Sequence, residues 1–251
     1  MRAEVRTLTL APVTAGRGIR LQDGSSLLLS GIGSKKAERA ANELVKQGAG
    51  ALLSWGCAAG LLPEVASGML VLPRVIIGAD HSDYPVDPAW RKRLLYRIQK
   101  HIRLYQGALA ETKVVLDTEK AKQDFFLQTS AGAADMESAA VAAVAKEAGI
   151  PFMAIRAIAD SLDIAVPKDF LTVTNAFGKV RFWAFFKAVS RHPVGSLGLF
   201  RLIRSFRAAQ STLRKVVHLT GNNLLLSEAE GVSLFFPPLK DGKNGGQEQE
   251  G

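Results

Sequence analysis

Apolar residues follow two different spacings along the first 165 residues of the chain. Leu27-Leu28-Leu29-Ser30 is a short apolar run that ends in Ser30-Gly31-Ile32-Gly33. An alanine-rich stretch from about Lys35 to Gln47 keeps helical spacing, and Gly48 is placed to stop it. Ala51-Leu52-Leu53-Ser54-Trp55 reads as a buried strand that runs into a glycine turn, Gly56-Cys57-Ala58-Ala59-Gly60. Met69 to Ile77 reads as a further strand, interrupted by Pro73, and Trp90 to Tyr105 as a basic helix. Met136 to Ala148 predicts a helix with Gly149 just past its end, followed by a buried strand from Pro151 to Ala159. Strand, glycine turn and helix recur, which predicts an α/β fold with a mixed central sheet flanked by helices. Ligands of such sheets bind at strand ends.

The last third has a different character. At about 100° per residue, Leu202, Phe206, Ala209, Leu213, Val216 and Val217 share one face of a helix from Ser196 to Leu219. Arg201, Arg204, Arg207, Arg214 and Lys215 share the opposite face, and Phe200 falls on the basic side. This is the pattern of a basic amphipathic helix. It fits a surface helix that packs its apolar stripe on a core, and it fits docking at a membrane surface. The missing acids point to the second, since ordinary surface helices mix both signs. The tail from Lys240 to Gly251 is rich in glycine and polar residues and is expected to be disordered. The expected division is an α/β domain over 1–170, a basic helical extension over 171–227 and the tail over 228–251.

Length and composition narrow the picture. The chain has 251 residues, of which 47% are hydrophobic, enough for one α/β domain with a sizeable core and an appendage. The net charge is +9, and the segment from Phe170 to Ser227, which has no Asp or Glu, accounts for the whole excess. A localised basic block suggests an anionic partner. The lone Cys57 excludes an intramolecular disulfide and fits a reducing compartment. No signal peptide is visible, and no stretch reaches the roughly 20 apolar residues of a bilayer span. A cytoplasmic protein is expected, with peripheral association at the inner membrane face as a refinement. His81, His101, His192 and His218 are scattered and imply no metal. The glycine-rich segments do not form a dinucleotide fingerprint, so no cofactor is expected.

Five blocks carry candidate chemistry. They are Arg2-Ala3-Glu4-Val5, Ser30-Gly31-Ile32-Gly33, Ser54-Trp55-Gly56-Cys57-Ala58-Ala59-Gly60-Leu61, Asp135-Met136-Glu137-Ser138-Ala139-Ala140, and Ile150-Pro151-Phe152 through Arg156-Ala157-Ile158-Ala159-Asp160. Taken together they resemble the purine nucleoside phosphorylase and methylthioadenosine/adenosylhomocysteine nucleosidase superfamily. The last two are the specific ones, and the resemblance covers roughly Met1 to Val166. Within the superfamily the chain looks most like the hopanoid-biosynthesis-associated branch, on Arg191-His192-Pro193-Val194-Gly195, the basic helix after it and the aromatic of Ser54-Trp55-Gly56. That branch removes adenine from adenosylhopane. The resemblance also implies a nucleoside phosphorylase-like sheet. Family members begin with a strand leading into the loop of the first glutamate. This chain starts in that loop, so the first strand is expected to be missing. Trp55 replaces a residue that is usually small and polar, and it suits a more apolar substrate.

The resemblance implies a role for each residue. Breaking an N-glycosidic bond builds positive charge on the sugar, and adenine departs poorly as an anion. Asp160 matches the acid that protonates N7, a task that needs a pKa raised toward neutrality. Glu137 matches the glutamate that binds the ribose hydroxyls, and its charge would stabilise the sugar cation. Met136 would pack against the sugar. Glu4 would take a proton from water, with Ser30 and Arg156 orienting that water, and Gly31 beside Ser30 would belong to the substrate-binding set. A glutamate in this place favours water, because it would repel phosphate. Ser30-Gly31-Ile32-Gly33 before a helix could nonetheless cradle phosphate, with Arg156 pairing to it. Phosphorolysis therefore stays open, as does a soluble methylthioadenosine or adenosylhomocysteine nucleosidase. A non-catalytic basic binding module is the third reading. The region from Leu116 to Gln128, read as a loop, is where adenine would be recognised. The expected partners are an adenosyl nucleoside linked to a lipid, an anionic membrane surface met by Arg201, Arg204, Arg207, Arg214 and Lys215, and a second copy of the chain. Nucleic acid is not expected.

Overall fold

The computed structural model describes residues 8, 18–20, 24–163, 196–221, 224 and 226. Elements follow in the order β1 (Ile19–Arg20), β2 (Ser26–Leu27), α1 (Ser34–Lys46), β3 (Leu52–Gly60), β4 (Leu70–Val71), β5 (Val75–Ile77) and β6 (Asp83–Pro85). Then come α2 (Pro88–Ile98), β7 (Leu104–Tyr105), β8 (Leu109–Glu111), α3 (Glu119–Thr129), β9 (Ala133–Asp135), α4 (Ser138–Glu147), β10 (Phe152–Asp160) and α5 (Ser196–Thr220). Eight strands form one mixed sheet in the order β6-β5-β8-β9-β3-β10-β4-β7, and β1 and β2 pair separately. The mixed sheet flanked by helices is the architecture that the sequence predicts.

The centre of the sheet is the parallel pair β3 and β10, in register from Leu52↔Phe152 to Ala58↔Ile158. Every residue of β10 from Phe152 to Ala159 is buried, as expected of a strand covered on both faces. β3 runs on through Gly56-Cys57-Ala58-Ala59-Gly60, where the sequence predicts a turn. Pairing with β10 keeps this segment extended, and small residues suit it because the chain packs closely there. A Cβ on Gly60 would lie 2.3 Å from the Val65 carbonyl oxygen.

Three other boundaries differ from expectation. Met69 to Ile77 is two strands with different neighbours, β4 beside β10 and β5 beside β8. Pro73 separates them, since proline cannot donate to a ladder. The helix expected over Trp90 to Tyr105 stops at Ile98, and Leu104–Tyr105 becomes an edge strand on β4. The region from Leu116 to Gln128 holds the helix α3, capped by Thr118, whose Oγ1 accepts from the Ala121 N–H at 3.2 Å. Glu4, residues 171–195 and the tail from Lys240 to Gly251 lie outside the described residues.

Helix α5 packs on β10, β4 and α2. It buries Leu202, Ala209, Leu213 and Val216 and leaves Arg201, Arg204, Arg207, Arg214 and Lys215 exposed. Polar ties fix it. Thr212 Oγ1 donates to the Gly68 carbonyl at 2.6 Å, Lys215 Nζ to the His101 carbonyl at 2.6 Å, and Arg97 Nε to the Leu219 carbonyl at 3.0 Å. The apolar stripe is thus spent on the core, where Ala209, Leu213 and Val216 join the main hydrophobic cluster. Among the described residues no helix is long and apolar enough to cross a membrane.

Candidate active site

Three elements bring acids to one region of the sheet. β9 ends in Asp135, its neighbour β8 ends in Glu111 in register with Asp135, and Glu137 stands just before the first residue of α4, two residues later. An Asp-Met-Glu sequence at a strand end therefore places one carboxylate in the sheet and the next at a helix N-terminus, where the helix dipole favours it. Arg156 comes from the middle of β10. It is 4% exposed, and its Nε donates to Asp135 Oδ2 at 2.6 Å. Its Nη2 donates to Ser54 Oγ at 2.7 Å and to Ser138 Oγ at 3.1 Å. Ser138 also binds Asp135 through both its hydroxyl and its N–H. The charge of Arg156 is thereby balanced inside the protein. Removing either member of such a buried pair costs about 3–5 kcal/mol.

Glu137 sits at the edge of this network, with Oε2 4.0 Å from Arg156 Nη2. Its Oε1 accepts the Gly33 N–H at 2.9 Å. Gly33 caps α1 with φ of 98°, and Gly31 has φ of 97°, so the Ser30-Gly31-Ile32-Gly33 loop needs glycine at both places. Ser30 Oγ donates to the Gly31 carbonyl at 3.0 Å. A helix N-terminus that could have received phosphate thus holds a carboxylate. Ser30, Ser54, Glu137 and Arg156 line one cleft, whose apolar wall includes Leu27, Leu28, Leu29, Trp55 and Val141. Three of the sequence-predicted residues, Ser30, Glu137 and Arg156, are therefore brought together. Gly31 lies in the same loop, and Met136 is half-buried between Asp135 and Glu137.

Asp160 stands apart from this cleft, at the last position of β10. Four residues beyond Arg156, it lies about 13 Å further along the strand. The register slips there, from Ile158↔Ala58 to Asp160↔Ala59, and such a bulge re-aims the side chain that follows it. Asp160 Oδ2 meets Lys122 Nζ of α3 at 2.9 Å. Burial pushes the Asp160 carboxyl up to about 6, while the charge and hydrogen bond of Lys122 pull it down. Glu111 is 7% exposed, and burial pushes it up to about 7. The Ala140 N–H opposes that rise, and the charges of Asp135 and Glu137 add to it.

Glu111 has no place in the sequence reading, Ser54 enters it without a role of its own, and Lys122 enters it only as part of the region from Leu116 to Gln128. A lone glutamate at a strand end and a lysine in a polar helix both look like solvated charges. Asp135 and Ser138 stand in a motif the sequence does point to, but their grip on Arg156 is visible only in three dimensions. Among the described residues no group of His, Cys, Asp and Glu could hold a metal ion.

This fold occurs in solved structures. One is the 5′-methylthioadenosine/S-adenosylhomocysteine nucleosidase of Neisseria meningitidis in complex with methylthio-immucillin-A, at 17% identity and TM-score 0.65, over 90% of this chain and 95% of that one. Another is the S-adenosylhomocysteine nucleosidase of Streptococcus pyogenes with 5-methylthiotubericidin, at 18% identity and TM-score 0.59, over 86% and 92%. The futalosine hydrolase of Helicobacter pylori is similar at 16% identity and TM-score 0.58, over 87% and 94%. No curated protein matches the chain. The sequence profile of the phosphorylase superfamily matches residues 22–181, well over half the chain, and the protein belongs to that superfamily.

Proposed function

We propose that this protein cleaves the N-glycosidic bond of an adenine nucleoside, with water as the nucleophile. The observation that carries the reading is the pair of acidic sites served by β10. Asp160, whose carboxyl holds its proton up to about pH 6, ends the strand that also carries Arg156, which pairs with Asp135 and lies 4.0 Å from Glu137. A nucleoside laid along this strand end meets Glu137 with its ribose and Asp160 with its base. Asp160 protonates N7, and the leaving adenine departs neutral. Glu137 binds ribose hydroxyls and its charge stabilises the sugar cation, while Met136 packs on the ring. Ser30, Gly31 and Arg156 border the place of the attacking water, and Glu4 is the base. The Gly33 N–H, given to Glu137 at 2.9 Å, supports water over phosphate, because a carboxylate there repels a second anion. The similar solved structures include a methylthioadenosine/adenosylhomocysteine nucleosidase with methylthio-immucillin-A and an adenosylhomocysteine nucleosidase with 5-methylthiotubericidin, so methylthioadenosine and adenosylhomocysteine are the first substrates to try.

A second reading rests on α5 and the cleft wall. Arg201, Arg204, Arg207, Arg214 and Lys215 face away from the core, Phe200 is 72% exposed among them, and Trp55 with Leu27, Leu28 and Leu29 gives the cleft an apolar side. These features fit a nucleoside carried on a lipid such as adenosylhopane, handled at the surface of an anionic membrane. The test is adenine release from methylthioadenosine, adenosylhomocysteine and adenosylhopane in liposomes, with and without phosphate, by the wild type and by Asp160→Asn. Release without phosphate, lost by at least about 10²-fold in the variant, is the expected result. The preferred substrate separates the two readings. Release that needs phosphate overturns the role of Glu4, and no release from any substrate overturns the enzyme in favour of a binding module.

A further inference from the structure

Helix α3 breaks the usual relation between polarity and burial. It runs Glu119–Thr129, and the one residue it buries is Lys122, with no measurable exposure. Leu127 of the same helix is 76% exposed. Lysine is almost never fully buried unless paired, and burying an ammonium costs several kcal/mol that only a charged partner and hydrogen bonds offset. Lys122 Nζ finds both at the end of β10, with Asp160 Oδ2 at 2.9 Å and the Ser161 carbonyl at 2.7 Å. Breaks in local consistency of this kind concentrate at functional sites.

Among the described residues, several groups are placed around the strand end. From the segment before β4, Ser67 Oγ donates to Ser161 Oγ at 3.2 Å. Past the strand, Asp163 Oδ1 accepts from Ser161 Oγ at 2.7 Å. From α3 and the loop before it, the neighbouring wall is apolar, with Leu116, Ala121, Phe125 and Phe126 clustered on Leu61. Lys122 is therefore the charge that governs this carboxylate among the described residues.

We infer that Lys122 is a positioning residue for the glycosidic cleavage, holding Oδ2 of Asp160 so that Oδ1 faces the purine and stabilising the carboxylate left once the proton has moved. The inference rests on the reading of Asp160 as the acid. In the step, the proton on Oδ1 passes to N7 while the C1′–N9 bond breaks, and the bonding electron pair leaves with the neutral adenine. Lys122 gains and loses no proton. Its attraction is strongest when Asp160 is fully ionised, so it acts on the transition state more than on the bound substrate. Burial and Lys122 pull the acid in opposite directions. Burial alone would leave Asp160 a carboxylic acid too weak to give its proton up.

The experiment compares the wild type with Lys122→Met, which fills the same space without charge, and with Lys122→Gln, which keeps a donor. Carbon-13 NMR of labelled aspartate follows the Asp160 carboxyl through a pH titration, and needs no substrate. The titration midpoint is expected to rise by about one to three pH units in Lys122→Met, and less in Lys122→Gln. The kcat for adenine release is expected to fall by about 10²-fold with KM changed less than kcat, and the alkaline limb of the pH profile to move upward. An unmoved midpoint in the folded variants overturns the positioning role whatever the substrate proves to be. A moved midpoint with unchanged kcat overturns the catalytic part. If Lys122→Met does not fold, Lys122→Gln carries the same two readouts. If the wild type releases no adenine, the titration still decides the pairing, and the failure belongs to the function proposed above.

Discussion

Glu111 shows how one buried carboxyl acquires a pH dependence. An ordinary glutamate ionises near 4.5, and burial raises this one to about 7. The folded protein holds that proton more tightly than the unfolded chain does. Its penalty is therefore absent below about pH 4.5, grows as pH rises toward 7, and stays constant above. The full difference is at most about 3 kcal/mol. Glu111→Gln keeps an acceptor for the Ala140 N–H, 3.0 Å away, and removes the charge. The variant is expected to be more stable than the wild type at pH 8 and equal to it at pH 4.5, as read by urea denaturation at both values. Equal stability at pH 8 would mean that the site tolerates the ionised form. Asp135 has the opposite task. One strand away, its carboxylate pairs with Arg156 at 2.6 Å.

At the scale of elements, α5 and α3 invert each other. α5 buries an apolar stripe and exposes cations, while α3 buries a cation and exposes a leucine. Leu213 has no exposed surface and lies in the main core cluster with Val216, Met153 and Ile155. Leu213→Ala is expected to destabilise the fold by about 2–5 kcal/mol, whereas Arg207→Ala should change it by less than about 0.5 kcal/mol. Thermal denaturation of the two variants makes the comparison. A small loss for Leu213→Ala would show that the helix contributes little to the core. The contrast matters for function, because a helix whose apolar face is already buried cannot also sink that face into lipid. Among its described side chains, the charged side and Phe200 remain for a partner.

At the scale of the molecule, the net charge of +9 is unevenly spread. Each cation near an anionic bilayer contributes about 1 kcal/mol, and salt screens the attraction within about 10 Å at 0.1 M. The protein is expected to sediment with anionic vesicles at low salt and to release them at high salt. Replacing Arg201, Arg204, Arg207, Arg214 and Lys215 by glutamine should abolish that binding and leave adenine release from a soluble nucleoside intact. Absence of binding at every salt concentration would remove the membrane from the second reading.

The apolar runs and helical spacings in the sequence determine the α/β class, the position of β10 and the helix from Ser196 onward, because burial in a sheet or on a helix face demands those patterns. The motifs around Asp135, Glu137, Arg156 and Asp160 make the site region legible, since a strand end and a helix start are local features. Tertiary structure decided the rest. Gly56 to Gly60 is strand because β10 and β9 lie beside it, and Leu104–Tyr105 leaves the helical pattern because β4 offers an edge. The split of the candidate residues into a cleft with Glu137 and a strand end with Asp160 depends on a bulge that no spacing announces. Lys122 is the sharpest case. In the sequence it is one lysine among polar neighbours, and its burial follows from the meeting of α3 with the end of β10, an encounter between residues far apart in the chain.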